Sequence, residues 1–115
     1  MNLIGTYQAN LGELTLEITK ADNATGELGG TLVVNRTGIP GYSAKVEGHY
    51  HFLGSLTSLA FFAWSDDLEG ENNYFAWAGY AERENELVVS GGHSVVTTNQ
   101  QASAKPSEVT RFIRK

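Results

Sequence analysis

The sequence contains no cysteine, which removes disulfides and thiolate metal sites as organising devices. Basic residues are few: 8 Lys and Arg stand against 13 Asp and Glu, a formal net charge of −5, and no run of like charge occurs. That balance favours solubility and argues against nucleic acid, whose phosphates require a basic face. No apolar stretch reaches the ~18–20 residues needed to span a bilayer, so no membrane association is expected. Met1-Asn2-Leu3-Ile4-Gly5 lacks the basic and apolar regions of a signal peptide, and the chain is expected to be cytoplasmic unless a signal has been removed. Also missing are a P-loop, a His-Glu-x-x-His pair, a dinucleotide fingerprint and a convincing Ser-His-Asp set, so the reading is non-enzymatic and calls for no cofactor. Ser90, His93 and Ser94 are neighbours in sequence, but nothing indicates that they face together.

No segment sustains apolar residues at helical spacing over three turns. Period-two alternation recurs instead. Leu14, Leu16 and Ile18 alternate with Glu13, Thr15, Glu17 and Thr19, and Val46, Gly48 and Tyr50 alternate with Glu47, His49 and His51. Thirteen glycines punctuate β-branched and aromatic runs, which is a β composition. The pattern predicts strands at 3–8, 13–20, 27–35, 43–52, 57–65, 73–83, 86–96 and 108–114. Turn chemistry lies between them: Asn10-Leu11-Gly12, the run from Ala21 to Gly26, Gly38-Ile39-Pro40-Gly41, the acidic run from Asp66 to Asn72, Glu84-Asn85, and a polar connector from Asn99 to Ser107.

The 115 residues fit one domain, 1–115, burying roughly two-thirds of the unfolded surface. Short connections make consecutive strands antiparallel neighbours. Eight such strands form either an up-and-down barrel or a sandwich. A closed barrel of this size removes sheet edges and leaves an interior that holds side chains or one small ligand.

Several segments resemble the avidin and streptavidin family. Gly5-Thr6-Tyr7-Gln8-Ala9-Asn10-Leu11-Gly12-Glu13 is similar to that family's opening Gly-Thr-aromatic-x-Asn-x-Leu-Gly-Ser. Gly26-Glu27-Leu28-Gly29-Gly30-Thr31 resembles its second hairpin, Val46-Glu47-Gly48-His49-Tyr50 its Leu-Thr-Gly-x-Tyr, and Ala63-Trp64-Ser65 its strand-ending Trp. Trp77-Ala78-Gly79-Tyr80 resembles its Trp-Ser-Gly-Gln, and Thr110-Arg111-Phe112 its closing Asp-Thr-Phe. Order and spacing hold over essentially the whole chain. The resemblance implies an eight-stranded antiparallel up-and-down β-barrel that binds a small molecule, with biotin as the family ligand, and a homo-oligomer, dimer or tetramer.

Matched residue by residue, the resemblance also implies an altered pocket. The family's polar groups around the biotin ureido ring fall here on Ala9, Glu13, Leu32, Val34 and Thr110, and Ser90-Gly91-Gly92-His93 lacks the Trp of the seventh strand. Trp64 and Trp77 match two family aromatics; Asn73 stands at a ligand-facing Ser, and Phe75 replaces a Thr. The implied pocket is more apolar, with weak or absent biotin binding. The alternative is a filled barrel serving as a protein or glycan interaction module.

The residues themselves leave choices open. Phe62, Trp64, Phe75 and Trp77 are expected to point inward, either as a pocket floor for a flat ligand or as core filling. Tyr7 reads as core. Phe61, Tyr74, Ala76 and Tyr80 then fall on the outer face, as an oligomer interface or as scattered surface aromatics. Glu13 is either a carboxylate at the barrel mouth or an exposed strand start. His49 and His51 share a face, and with His93 would suit zinc or, more plainly, stand in solvent. Asp66, Asp67, Glu69 and Glu71 read as a solvated loop.

Overall fold

A computed structural model describes residues 2–36, 39–68, 70–83 and 85–115, with no description of the side chains of 36, 39, 40 and 66–68. Eight strands follow in chain order: β1 Gly5–Ala9, β2 Leu14–Ala21, β3 Glu27–Arg36, β4 Ile39–Leu53, β5 Leu56–Leu68, β6 Glu71–Arg83, β7 Glu86–Thr97 and β8 Ala102–Arg114. Each pairs antiparallel with the next, and β8 returns to β1, closing an up-and-down barrel. The sandwich alternative is thereby removed. The expected strands stand where alternation placed them, but several run on into the expected connections. The supposed connector through Ser107 is mostly strand: Ala102 to Ser107 pair with Val96 to Gly91. Ile39, expected in a loop, already pairs with Arg36. The acidic run expected as a solvated loop is largely strand: β5 continues to Leu68, β6 starts at Glu71, and the two pair there, with the Glu71 carboxylate turned back onto Asn73. Glu69, the Glu84 half of the Glu84-Asn85 turn, and the side chains of Asp66 and Asp67 lie outside the described residues.

Alternation sorts the side chains as a pleated sheet requires. Leu16, Ile18, Leu28, Leu32, Val46, Tyr50, Leu59, Trp77, Leu87, Val89 and Phe112 pack inside, with their polar neighbours outside. Tyr7 is fully buried core, as its place in the pattern suggests. Close backbone approach is needed at Gly91, where a Cβ would lie 1.8 Å from the carbonyl oxygen of Ala76. Register shifts between Val89 and Gly91, next to this glycine. The shift brings Ser107 inward, and its hydroxyl oxygen accepts from the Trp77 indole at 2.9 Å and from the Gly91 amide at 3.1 Å.

The strand pairing decides which way β5 faces. Phe61 lies opposite Trp77, Ala63 opposite Phe75 and Ser65 opposite Asn73. Residues directly opposite in a ladder point to the same side. Phe61 is therefore inside, 3% exposed, with its ring edge-on to Trp77 at 5.5 Å. Phe62 is outside, 47% exposed, and Trp64 stacks on it at 5.0 Å. The expected inward placement of Phe62 and Trp64, and the outward placement of Phe61, are both reversed. The doublet Phe61-Phe62 offers an apolar side chain to either face, so alternation alone does not fix parity there; pairing with Trp77 does.

Two ends can be distinguished. The near end carries both termini and the β2–β3, β4–β5 and β6–β7 connections. The far end carries the β1–β2, β3–β4, β5–β6 and β7–β8 connections. At the near end the Tyr7 hydroxyl donates to the Leu3 carbonyl at 2.7 Å and accepts from Arg114 at 2.7 Å. Arg114 also donates to the carbonyls of Ile4 and Asn2. This guanidinium ties the chain start to β8 where β1 and β8 share the short ladder Tyr7–Arg114, Gln8–Ile113.

Candidate functional site at the far end of the barrel

Tyr42 apart, the far end is lined by small or apolar inner side chains from several strands. Ala9, Leu32, Val34, Ala44 and Ala63 are all at least nine-tenths buried. None carries a side-chain donor or acceptor. Among them sits a short polar chain. Asn73, fully buried, donates from its amide to the Glu71 carboxylate at 2.9 Å, and its carbonyl oxygen lies 2.9 Å from His93 Nε2. A carboxylate only accepts, so the amide nitrogen must face Glu71; the oxygen then faces His93, and Nε2 carries the hydrogen that bonds it. The His93 ring lies flat on Phe75, centroids 4.2 Å apart. Phe75 in turn contacts Trp77 at 5.1 Å, and Trp77 meets Phe112 edge-on.

Ser65 faces Asn73 across the β5–β6 ladder. It is 2% exposed, and its hydroxyl is the one buried side-chain polar atom without a partner among the described residues. Leaving such a group unbonded costs roughly 1–3 kcal/mol. Asn73 does not relieve it: its amide is turned to Glu71 and His93, and no hydrogen bond joins it to the Ser65 hydroxyl.

Of the residues expected to line a site, Ala9, Leu32, Val34, Asn73, Phe75, Trp77 and Thr110 are buried inside the barrel. The Thr110 hydroxyl donates to the Glu108 carbonyl at 3.1 Å. Phe62 and Trp64 belong to the outer wall. Glu13 is exposed and follows the β1–β2 turn; its carbonyl accepts from the Asn35 amide at 2.8 Å. Tyr74 and Tyr80 are outside as expected, and Ala76 with them. The histidines do not converge. His49 and His51 are exposed on β4, with His49 bonded to the Thr25 carbonyl, while His93 faces the interior from β7. Ser90 and Ser94 take the opposite parity to His93. Sequence reasoning missed Ser65 and the Asn73–His93 contact. The signal was present in the β5–β6 pairing, which puts Ser65, not Trp64, beside Asn73.

The outer wall bears shallow grooves. One, of about 620 Å³, runs over Ala60, Ala76 and Ala78 between Phe62 and the Glu47–His49 edge. Another, of about 480 Å³, lies beside Phe62 and Tyr74 and reaches Lys105 and Pro106. The Lys45 ammonium sits 5.7 Å from the Trp64 ring centre, a cation–π contact.

Comparison with solved structures matches this arrangement across the whole chain. Bradavidin superposes with a TM-score of 0.68 at 20% identity, covering 100% of this chain and 82% of that one. The fold is that of the avidin-like barrels. A biotin-binding protein from chicken gives a TM-score of 0.62 at 14% identity, covering 99% of this chain and 96% of its own. Apo shwanavidin gives 0.62 at 18% identity, covering 100% and 97%. No protein-family model matches the sequence, and no curated protein matches it at the sequence level. The avidin-like likeness thus resides in the path of the chain, and the chemistry of its far end must be judged on its own residues.

Proposed function

We propose that this chain is a non-enzymatic small-molecule binding barrel whose ligand is received at the far end, against Asn73, Phe75 and Trp77, in a pocket less polar than a biotin site. The observation that carries the reading is the buried Ser65 hydroxyl, held without a partner beside Asn73 on the inner wall. Folding tolerates such a group at a cost, and a ligand that bonds it recovers that cost on binding. The avidin-like neighbours, one of them named for binding biotin, support the same use of the fold.

Biotin itself is expected to bind weakly or not at all. Ala9, Leu32 and Val34 present no donor to a ureido oxygen, and the exposed Glu13 offers acceptors only. Isothermal titration of the purified protein with biotin tests this. Submicromolar affinity overturns it; millimolar or undetectable affinity agrees with it.

A second reading has its own observation. The Phe62–Trp64 stack, Tyr74 and Tyr80 form an aromatic outer wall, with Phe62, Tyr74 and Tyr80 each 44–49% exposed. That wall suits a homo-oligomer, dimer or tetramer, or a protein or glycan partner on a filled barrel. Sedimentation at micromolar concentration separates these: a wild-type oligomer that Tyr74→Lys dissociates supports self-association, and a strict monomer overturns it.

A further inference from the structure

We propose that the far-end site selects an uncharged carboxamide or lactam group over a carboxylate, with Ser65 and Asn73 reading its acceptor and donor edges. The inference rests on the reading of the far end as a ligand site and names the chemical class it takes.

The argument is an inventory of unused hydrogen-bonding capacity. The Ser65 hydroxyl has a donor and lone pairs, all unclaimed. Asn73 spends one amide hydrogen on Glu71 and one carbonyl lone pair on His93, leaving its second amide hydrogen and second lone pair. Ser65 and Asn73 stand directly opposite each other, which places their Cβ atoms about 4.5–5.5 Å apart. Each residue keeps both a donor and an acceptor, so the pair can present the two kinds side by side. Its complement is a group with an acceptor next to a donor, the C=O and N–H of an amide.

Charge argues the same way. The Glu71 carboxylate is bonded onto Asn73, so an incoming carboxylate meets like charge beside a part-buried group. Among the described side chains of like parity at this end, the basic groups are the His93 imidazole, bonded to Asn73, and Lys105, which is exposed on β8 and separated from β5 by β6 and β7. A neutral amide also avoids the desolvation of a charged head. Beside the polar pair, Phe75 and Trp77 give the inner wall apolar aromatic surface for an attached flat group.

Benzamide and benzoate differ only in this head and serve as probes. Titration is followed by Trp77 fluorescence and by the NMR signal of the Asn73 side-chain amide. Benzamide is expected to bind at least tenfold tighter than benzoate and to shift the Asn73 amide. Ser65→Ala is expected to weaken benzamide at least tenfold while raising the melting temperature of the free protein, since it deletes the unbonded hydroxyl. Equal or tighter benzoate binding overturns the proposal, as does benzamide binding that Ser65→Ala leaves unchanged. A thermal shift from cyclic ureas, sugars or lipids, with Trp77 responding and benzamide silent, overturns the amide class and leaves the binding-barrel reading standing. Silence from every probe overturns both.

Discussion

The two ends of the barrel are made from the same strands and finished in opposite ways. At the near end each buried polar group described meets a partner. Tyr7 is bonded to Leu3 and Arg114, and the Tyr50 hydroxyl donates to Asn23 at 2.6 Å. Asp22 accepts from the amides of Ala24 and Thr25 within the same turn. At the far end Asn73 is fixed from both sides while Ser65, opposite it, has nothing. Identical strand geometry thus supports a sealed end and an end with unused bonding capacity. The difference lies in a few side chains, which is why a barrel fold alone says little about what it binds.

The comparison breaks most sharply if buried hydroxyls at the two ends are removed. Tyr7→Phe leaves the Leu3 carbonyl and the Arg114 guanidinium short of a partner and is expected to destabilise by about 1–3 kcal/mol. Ser65→Ala removes a group with no partner and is expected to act with the opposite sign, by about 1 kcal/mol. Urea unfolding of both variants gives the test; two losses of equal size would erase the distinction between the ends.

A smaller effect is expected at the far-end turn. Leu11 is fully exposed in the left-handed region, φ 56°, where a leucine side chain is disfavoured. Leu11→Gly is expected to stabilise by a few tenths to about 1 kcal/mol, the relief of left-handed strain offset by glycine's freedom in the unfolded chain. A lower urea midpoint in this variant would count against strain at the turn.

The smallest effect sharpens the near end. The amides of Ala24 and then Thr25 hold the Asp22 carboxyl below its ordinary value of 3.8. A carboxylate lowered on folding contributes stability above its unfolded value and loses it as pH falls through the folded one. Stability should therefore drop on acidification below about pH 4, and less in Asp22→Asn than in the wild type. Parallel urea curves at about pH 5 and about pH 2.5 check this.

Much of this was legible in the chain. Glutamate and threonine alternating with leucine and isoleucine in β2 leave one possible inner face, and that face is observed. In β5 the alternation is degenerate. Ala60-Phe61-Phe62-Ala63-Trp64 is apolar on both sides, and alternation alone favours Trp64 as the inward residue, whereas the pairing puts Ser65 there. The segment Ala102–Ser107 was hidden for a different reason. Its serines, lysine and proline look like a connector, yet backbone pairing with β7 needs no apolar side chain. The orphan at Ser65 was beyond reach for a third reason: a missing bond is a property of neighbours, and neighbours follow from register.

The short β1–β8 ladder bears on how the molecule folds. The other seams join strands adjacent in sequence and can zip locally. This one joins Tyr7 to Arg114, 107 residues apart, so its loop-closure cost falls at the end of assembly. Arg114 contacts the chain start only once the ring has closed. Its replacement by alanine is expected to leave the refolding rate nearly unchanged and to speed unfolding, the mark of a contact made after the transition state. Arg114 is in kinetic terms a latch: it sets how long the closed barrel lasts, and has little say in how fast the barrel forms.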